Sequence, residues 1–158
     1  MNGLIDRRTV EALYAASQAG VEIDLIVRGM CSLRPGVKGL SERIRVRSIV
    51  GQYLEHSRIF CFANGGKEEI YCGSADWMPR NLIERCEVVF PVTQLDLHRR
   101  LRDEILAAYL ADNVKARLLQ PDGEYKRAPQ VGSPFNVQDL LMRVAEGMEE
   151  KVLEAAGQ

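Results

Sequence analysis

A chain of 158 residues with 46% hydrophobic and 27% charged content fits one soluble globular domain, large enough to hold an ordinary core without metals or disulfides. No apolar run approaches the roughly 20 residues of a membrane span, and the N-terminus has no signal-peptide core, so a transmembrane or secreted protein is not expected. The net charge of -1 conceals a basic stretch, Arg28, Arg34, Lys38, Arg43, Arg45, Arg47 and Arg58 against Glu42 and Glu55, which suits a polyanion and equally suits a solvated face.

In chain order, Val10, Leu13, Tyr14 and Ser17 recur at helical spacing, with Asp6 placed to cap the start and Gly20 to end the turn. Val21 to Val27 reads as a buried strand that delivers Arg28 to its C-terminal edge, where ligands gather in open α/β sheets. Pro35, Gly36 and Gly39 make 33–40 a loop. From Arg43 to Val50, arginines alternate with Ile44 and Val46, the period of a strand with one wet, basic face. Ile59–Phe62 and Glu69–Cys72 flank an Asn/Gly loop and predict a hairpin.

Cys86 to Val92 predicts another strand, and Gln94 to Leu110 a long helix with Leu97, Leu101, Ile105, Ala108 and Tyr109 on one side. His98 lies beside that stripe and reads as structural. Val114–Leu119 is a short strand, followed by a turn at Pro121-Asp122-Gly123. A final helix over 135–155 starts at Asn136, with Asp139 at its third position, and faces inward through Val137, Leu140, Leu141, Val144, Met148 and Val152. Strands interleaved with helices give a single α/β layered domain. Cys31, Cys61, Cys72 and Cys86 have no zinc-ligand spacing and read as free thiols of a reducing cytoplasm, with Cys61 and Cys72 buried in their strands.

The chemistry concentrates around His56, in Tyr53-Leu54-Glu55-His56-Ser57-Arg58 at the mouth of a strand. A half-buried histidine satisfied by a carbonyl explains it as well when taken alone. Arg58, at H-x-R spacing, can leave the same face and clamp phosphate oxygens. Ser74 and Asn81, in Gly73-Ser74-Ala75-Asp76-Trp77-Met78-Pro79-Arg80-Asn81, can orient an imidazole or donate to a phosphate oxygen. Asp76 and Trp77 read as parts of the turn beneath. Arg28 at a strand end needs an anion or water. Loosely, these residues resemble the phospholipase D signature H-x-K-x4-D with G-S-x-N. Arg58 replaces its lysine, Ala63 its aspartate, and the asparagine is displaced to Asn81.

Longer runs are more specific: Met1-Asn2-Gly3-Leu4, Ala12-Leu13-Tyr14-Ala15-Ala16-Ser17, Val27-Arg28-Gly29-Met30-Cys31-Ser32-Leu33, Ile44-Arg45-Val46-Arg47-Ser48-Ile49-Val50, Tyr53-Leu54-Glu55-His56 and Ser74-Ala75-Asp76-Trp77-Met78-Pro79-Arg80-Asn81. They resemble the C-terminal domain of the long, multidomain bacterial polyphosphate kinase, over nearly the whole chain and thinning after about Leu119. The resemblance implies a phospholipase D-like mixed sheet flanked by helices, forming part of an ATP:polyphosphate phosphotransferase. Transfer would pass through a phosphohistidine in a preceding domain that this chain lacks. It implies that Arg28 binds nucleotide phosphates and that His56 contacts ATP as general acid.

Arg58, Ser74, Arg80, Asn81 and Arg85 follow as weaker contacts along a phosphate tunnel, with Arg80 and Arg85 equally able to pair with Glu84 or Glu87. ATP or ADP and Mg2+ are expected as ligands of the full enzyme, with no metal site in this chain. Polyphosphate, the enzyme's preceding domains and a homo-oligomer are the expected partners, and nucleic acid is not. The location is expected to be cytoplasmic, with peripheral docking on the inner membrane left open. Two other classes use the same residues: a phosphodiesterase or nuclease completed by homodimerisation, and a non-catalytic polyanion-binding module.

Overall fold

In the computed structural model, which describes residues 1–147, helix α1 spans Arg7–Gln18 and begins as its sequence predicts. The Asp6 side chain accepts hydrogen bonds from the Thr9 N–H and hydroxyl, both at 2.9 Å, and Gly20 turns the chain at φ 97°. Four strands form one sheet in the order β1 (Ile23–Ile26), β2 (Ile44–Ile49), β6 (Ala116–Leu119), β7 (Tyr125–Arg127). The β1–β2 pair is parallel and the other two pairs are antiparallel. Leu25, Ile44, Val46 and Leu119 of this sheet pack with Leu4, Val10, Val27 and Leu33 as one core cluster. Full burial of each such side chain is worth about 1.5–3 kcal/mol.

Strands β3 (Ile59–Phe62), β4 (Glu69–Gly73) and β5 (Val89–Pro91) form a second sheet, fully antiparallel, with the predicted hairpin between β3 and β4. The fold is therefore mixed α/β with two sheets, where the sequence led to the expectation of a single mixed one. Periodicity reveals a strand but not its neighbour. What joins the sheets is the segment at 1–4. The Met1 amine donates to the Ile26 carbonyl (3.0 Å), and the Arg28 and Gly29 N–H groups donate to the carbonyls of Met1 and Asn2 (3.1 and 2.9 Å). On its other side Trp77 N–H donates to the Gly3 carbonyl (3.1 Å). Phe60 stacks on Trp77 at 5.2 Å beneath this strap.

Helices α2 (Leu95–Arg99) and α3 (Ala107–Ala111) are joined by a π-helical stretch, Arg100–Leu106, giving one helical segment over 95–111. Its apolar stripe does not stay on one buried side: Ala108 is buried, whereas Leu97 is exposed. His98 and Arg102 both reach Glu68, at 3.5 and 2.8 Å, tying the helix to the β3–β4 hairpin as befits a structural histidine. Beyond it, buried Asp112 accepts from the N–H groups of Val114, Lys115 and Ala116, and its second oxygen accepts from Val137 N–H.

That carboxylate fastens the start of β6 to the start of α4 (Val137–Ala145), whose Val137 and Leu140 pack with Ile49, Ala108 and Ala116. Asn136 caps α4 as expected. Met148, Val152 and the rest of the predicted helix to 155 lie outside the described residues.

Three sequence expectations change. Strand β7, which closes the hairpin after the Pro121–Gly123 turn, has only Tyr125, Lys126 and Arg127 and carries too short a pattern to read. Cys61 is exposed rather than buried, next to buried Phe60 on the opposite face of β3; Cys72 is half-buried, and all four thiols are free. The basic face of β2 is not an open polyanion track. Arg43 and Arg45 are ion-paired with Glu22 and Asp24, and Asp24 stands directly opposite Arg45 across the parallel pair. Arg47 donates to the carbonyls of Tyr109 and Leu110 at the end of α3, where the helix leaves its last carbonyls unpaired.

Candidate active site

Arg28 lies two residues past the end of β1, at the edge where the strand stops and the chain turns under the strap at 1–4. Its Nε and Nη2 both donate to Asn2 Oδ1, at 2.9 and 2.7 Å. A neutral amide oxygen fixes the guanidinium without cancelling its charge. Among the described residues no carboxylate pairs with it, so its positive charge is left for an anion.

His56 sits on the loop between β2 and β3 with its ring exposed. A buried glutamine holds this loop in place. Gln138, on the first turn of α4, accepts from Tyr53 N–H at 3.2 Å and donates from Nε2 to the Tyr53 carbonyl at 3.0 Å and to Glu55 Oε1 at 2.7 Å. Gly51 is needed for that approach, since a Cβ there would stand 2.1 Å from Gln138 Oε1.

Arg58 anchors the loop's far end. Its Nε and Nη2 donate to Asp76 Oδ1 and Oδ2 at 3.2 and 3.0 Å, and its Nη1 donates to the His56 carbonyl at 2.7 Å and lies 3.4 Å from His56 Nδ1. The H-x-R pair does meet on one side, but Arg58 turns its fork onto Asp76 and not outward.

Asp76 also accepts from Asn2 N–H at 2.7 Å and is 3% exposed. Burial by itself pushes its carboxyl up, but the hydrogen bonds from Arg58 and the Asn2 amide outweigh that and hold it below the ordinary carboxylate range. A depressed carboxyl contributes stability that is complete above the unfolded-chain value of about 3.9 and is lost as pH falls through the folded value. The acid side of a stability profile from urea unfolding should therefore be less steep in Asp76→Asn than in the native chain, with the difference between them shrinking below about pH 4.

The remaining candidates form a second cluster or none. Ser74 and Asn81 both donate to Glu87, Asn81 at 2.6 Å, and Arg85 pairs with the same carboxylate at 3.4 Å. Asn81 Oδ1 is buried and has no hydrogen-bond partner among the described residues. Arg80, at the start of a π-helical turn over Arg80–Glu84, has Nη2 3.9 Å from Met78 Sδ and no carboxylate partner among the described residues. Arg28, His56 and Arg58 are thus linked through Asn2 and Asp76, while Ser74, Asn81 and Arg85 are linked through Glu87.

A groove of about 990 Å³ is lined by residues of β1, β3 and the helical segment at 95–111, with Met1, Arg28, Glu55 and Ser57 also among its lining. Sequence reasoning did not assign roles to Asn2 or Gln138, offered Glu87 only as an ion-pair partner for Arg80 or Arg85, and read Asp76 only as part of a turn. The one signal for Asn2 and Asp76 was their place in the family-like runs.

Residues 1–138 match the family model described as polyphosphate kinase C-terminal domain 2. The chain belongs to this family. Among its relatives, a polyphosphate kinase of Xylella fastidiosa strain Temecula1 is 53% identical over 144 residues, covering 90% of this chain and 21% of that protein. A polyphosphate kinase of Synechocystis is 64% identical over 125 residues, covering 79% of this chain and 17% of that protein. The crystal structure of the Porphyromonas gingivalis polyphosphate kinase superposes with a TM-score of 0.87 at 47% identity, covering 95% of this chain and 23% of that one. The chain therefore spans about a fifth of the length of the polyphosphate kinases it matches. Among the described residues no helix is long and apolar enough to cross a membrane.

Proposed function

We propose that this polyphosphate kinase C-terminal domain has a phospholipase D-like fold and supplies half of the active site of an ATP:polyphosphate phosphotransferase. The reaction moves the terminal phosphoryl of ATP reversibly onto polyphosphate through a phosphohistidine carried by another domain of the longer enzyme. Arg28 binds nucleotide phosphates, and His56 acts as general acid toward the leaving oxygen. The observation that carries this reading is the uncompensated Arg28 guanidinium, linked by Asn2, Asp76 and Arg58 to the exposed His56 ring.

Phosphoryl transfer through a loose transition state asks a protein chiefly for positioning and for positive charge on the transferring oxygens. Arg28 supplies the charge, and the His56 ring supplies the proton. Arg58 does not clamp phosphate in this arrangement; Arg80 and Arg85, with Ser74 and Asn81, stay second candidates for contacts further along the polymer. Mg2+ enters with the nucleotide phosphates. Cytoplasmic location and homo-oligomeric assembly are part of the same reading.

The 158-residue chain given ATP and Mg2+ should make no sustained polyphosphate, and the longer kinase containing it should. Synthesis by the chain alone would refute a nucleophile in another domain. A longer protein that is folded, binds ATP and yet forms no polyphosphate would refute the function itself.

A further inference from the structure

Asp76 stands where two arms of hydrogen bonds meet. One arm runs from its Oδ1 to the Asn2 N–H (2.7 Å), and from the Asn2 side-chain oxygen to Arg28 Nε and Nη2 (2.9 and 2.7 Å). The other runs from both carboxylate oxygens to Arg58 Nε and Nη2 (3.2 and 3.0 Å), and from Arg58 Nη1 to the His56 carbonyl (2.7 Å), with the ring Nδ1 3.4 Å away. Asn2 is held in register by the strap, since Trp77 N–H donates to the Gly3 carbonyl (3.1 Å) and Ile5 N–H to the Trp77 carbonyl (2.9 Å).

The Asp76 side chain is 4% exposed and that of Arg58 14%, so this pair is formed away from bulk water. Counting charges along the network gives Arg28 and Arg58 positive and Asp76 negative. The carboxylate neutralises Arg58, the cation it grips directly, and reaches Arg28 only through a neutral amide. One guanidinium becomes a strut and the other keeps its charge for the ligand.

We propose that Asp76 is the shared positioning residue of this site, setting Arg28 through Asn2 and His56 through Arg58. Arg58 Nη1 donates to the His56 carbonyl and lies 3.4 Å from the ring Nδ1, so the strut fixes the backbone that carries the ring. The proposal rests on the reading that Arg28 binds nucleotide phosphate and His56 delivers a proton.

The test is the separation of KM for ATP from kcat in the longer kinase, with Arg28→Ala and His56→Ala as controls for the underlying reading. Asn2→Ala should raise KM for ATP about 10-fold with kcat within about twofold, because it frees only the arginine arm. Arg58→Lys should lower kcat about 10- to 100-fold with KM within about twofold, because a point cation cannot grip both Asp76 oxygens and the His56 carbonyl at once. Asp76→Asn should do both.

If the controls behave as assigned but Asn2→Ala and Arg58→Lys move the same parameter, or Asp76→Asn moves only one, the shared role is refuted. If the controls themselves fail, the reading beneath it is refuted instead. Should Asp76→Asn not fold, the two arm variants still decide, since each must move one parameter and spare the other.

Discussion

Replacing His56 with alanine in the longer kinase is expected to lower kcat by about 10²- to 10⁴-fold, the usual contribution of one positioned acid or base. The KM for ATP should change little. His56 is exposed, and the polar approach to its ring among the described residues is from Arg58 Nη1 at 3.4 Å, so removing the ring leaves no buried group unsatisfied. Arg58 keeps its grip on Asp76 and on the backbone carbonyl of residue 56, which alanine also has. Steady-state kinetics with ATP as the varied substrate measures both parameters. Turnover equal to that of the native enzyme would remove the general-acid role.

Arg28→Ala is expected to act on the other parameter. A hydrogen bond to a charged group is worth about 1.5–3 kcal/mol, so losing one such contact to a nucleotide phosphate should weaken ATP binding about 10- to 150-fold. Arg28→Lys should recover part of that loss, because an ammonium keeps the charge but cannot present two parallel donors. The side chain ends on Asn2 and bears on no buried carboxylate, so the substitution should leave the unfolding midpoint near that of the native chain. Titration calorimetry with ATP, beside a urea unfolding curve, separates binding from stability. An unchanged ATP affinity would mean that the free charge at the end of β1 serves something else.

Much of the local structure was legible beforehand because its causes are local. Asp6 and Asn136 cap helices through side chains that reach backbone N–H groups two or three residues away. The β3–β4 hairpin follows from two apolar runs and an Asn/Gly loop between them. The arginines of β2 alternate as a strand requires, yet their partners Glu22 and Asp24 lie 21 to 23 residues away and meet them only through parallel pairing. Nothing in the spacing of Arg43, Arg45 and Arg47 distinguishes a polyanion track from an ion-paired face.

The site divides along the same line. Arg28 and His56 could be proposed from residue type, because a strand-end guanidinium and a loop imidazole are what phosphate chemistry uses, and because the runs around them resemble those of polyphosphate kinases. Arg58 looked like a second phosphate clamp, and the fold turned it into a strut by burying Asp76 beside it. Ser74 and Asn81, read as donors to substrate, both donate to Glu87 in the fold, a partner their spacing does not announce.

Chemical capacity, helix ends and strand periods were set by the amino acids and their near neighbours in the chain. Which cation stays free and which is neutralised was decided only when 2, 28, 56, 58 and 76 came together. That choice depends on contacts of a few ångströms between segments up to 74 residues apart, which short-range sequence pattern does not encode.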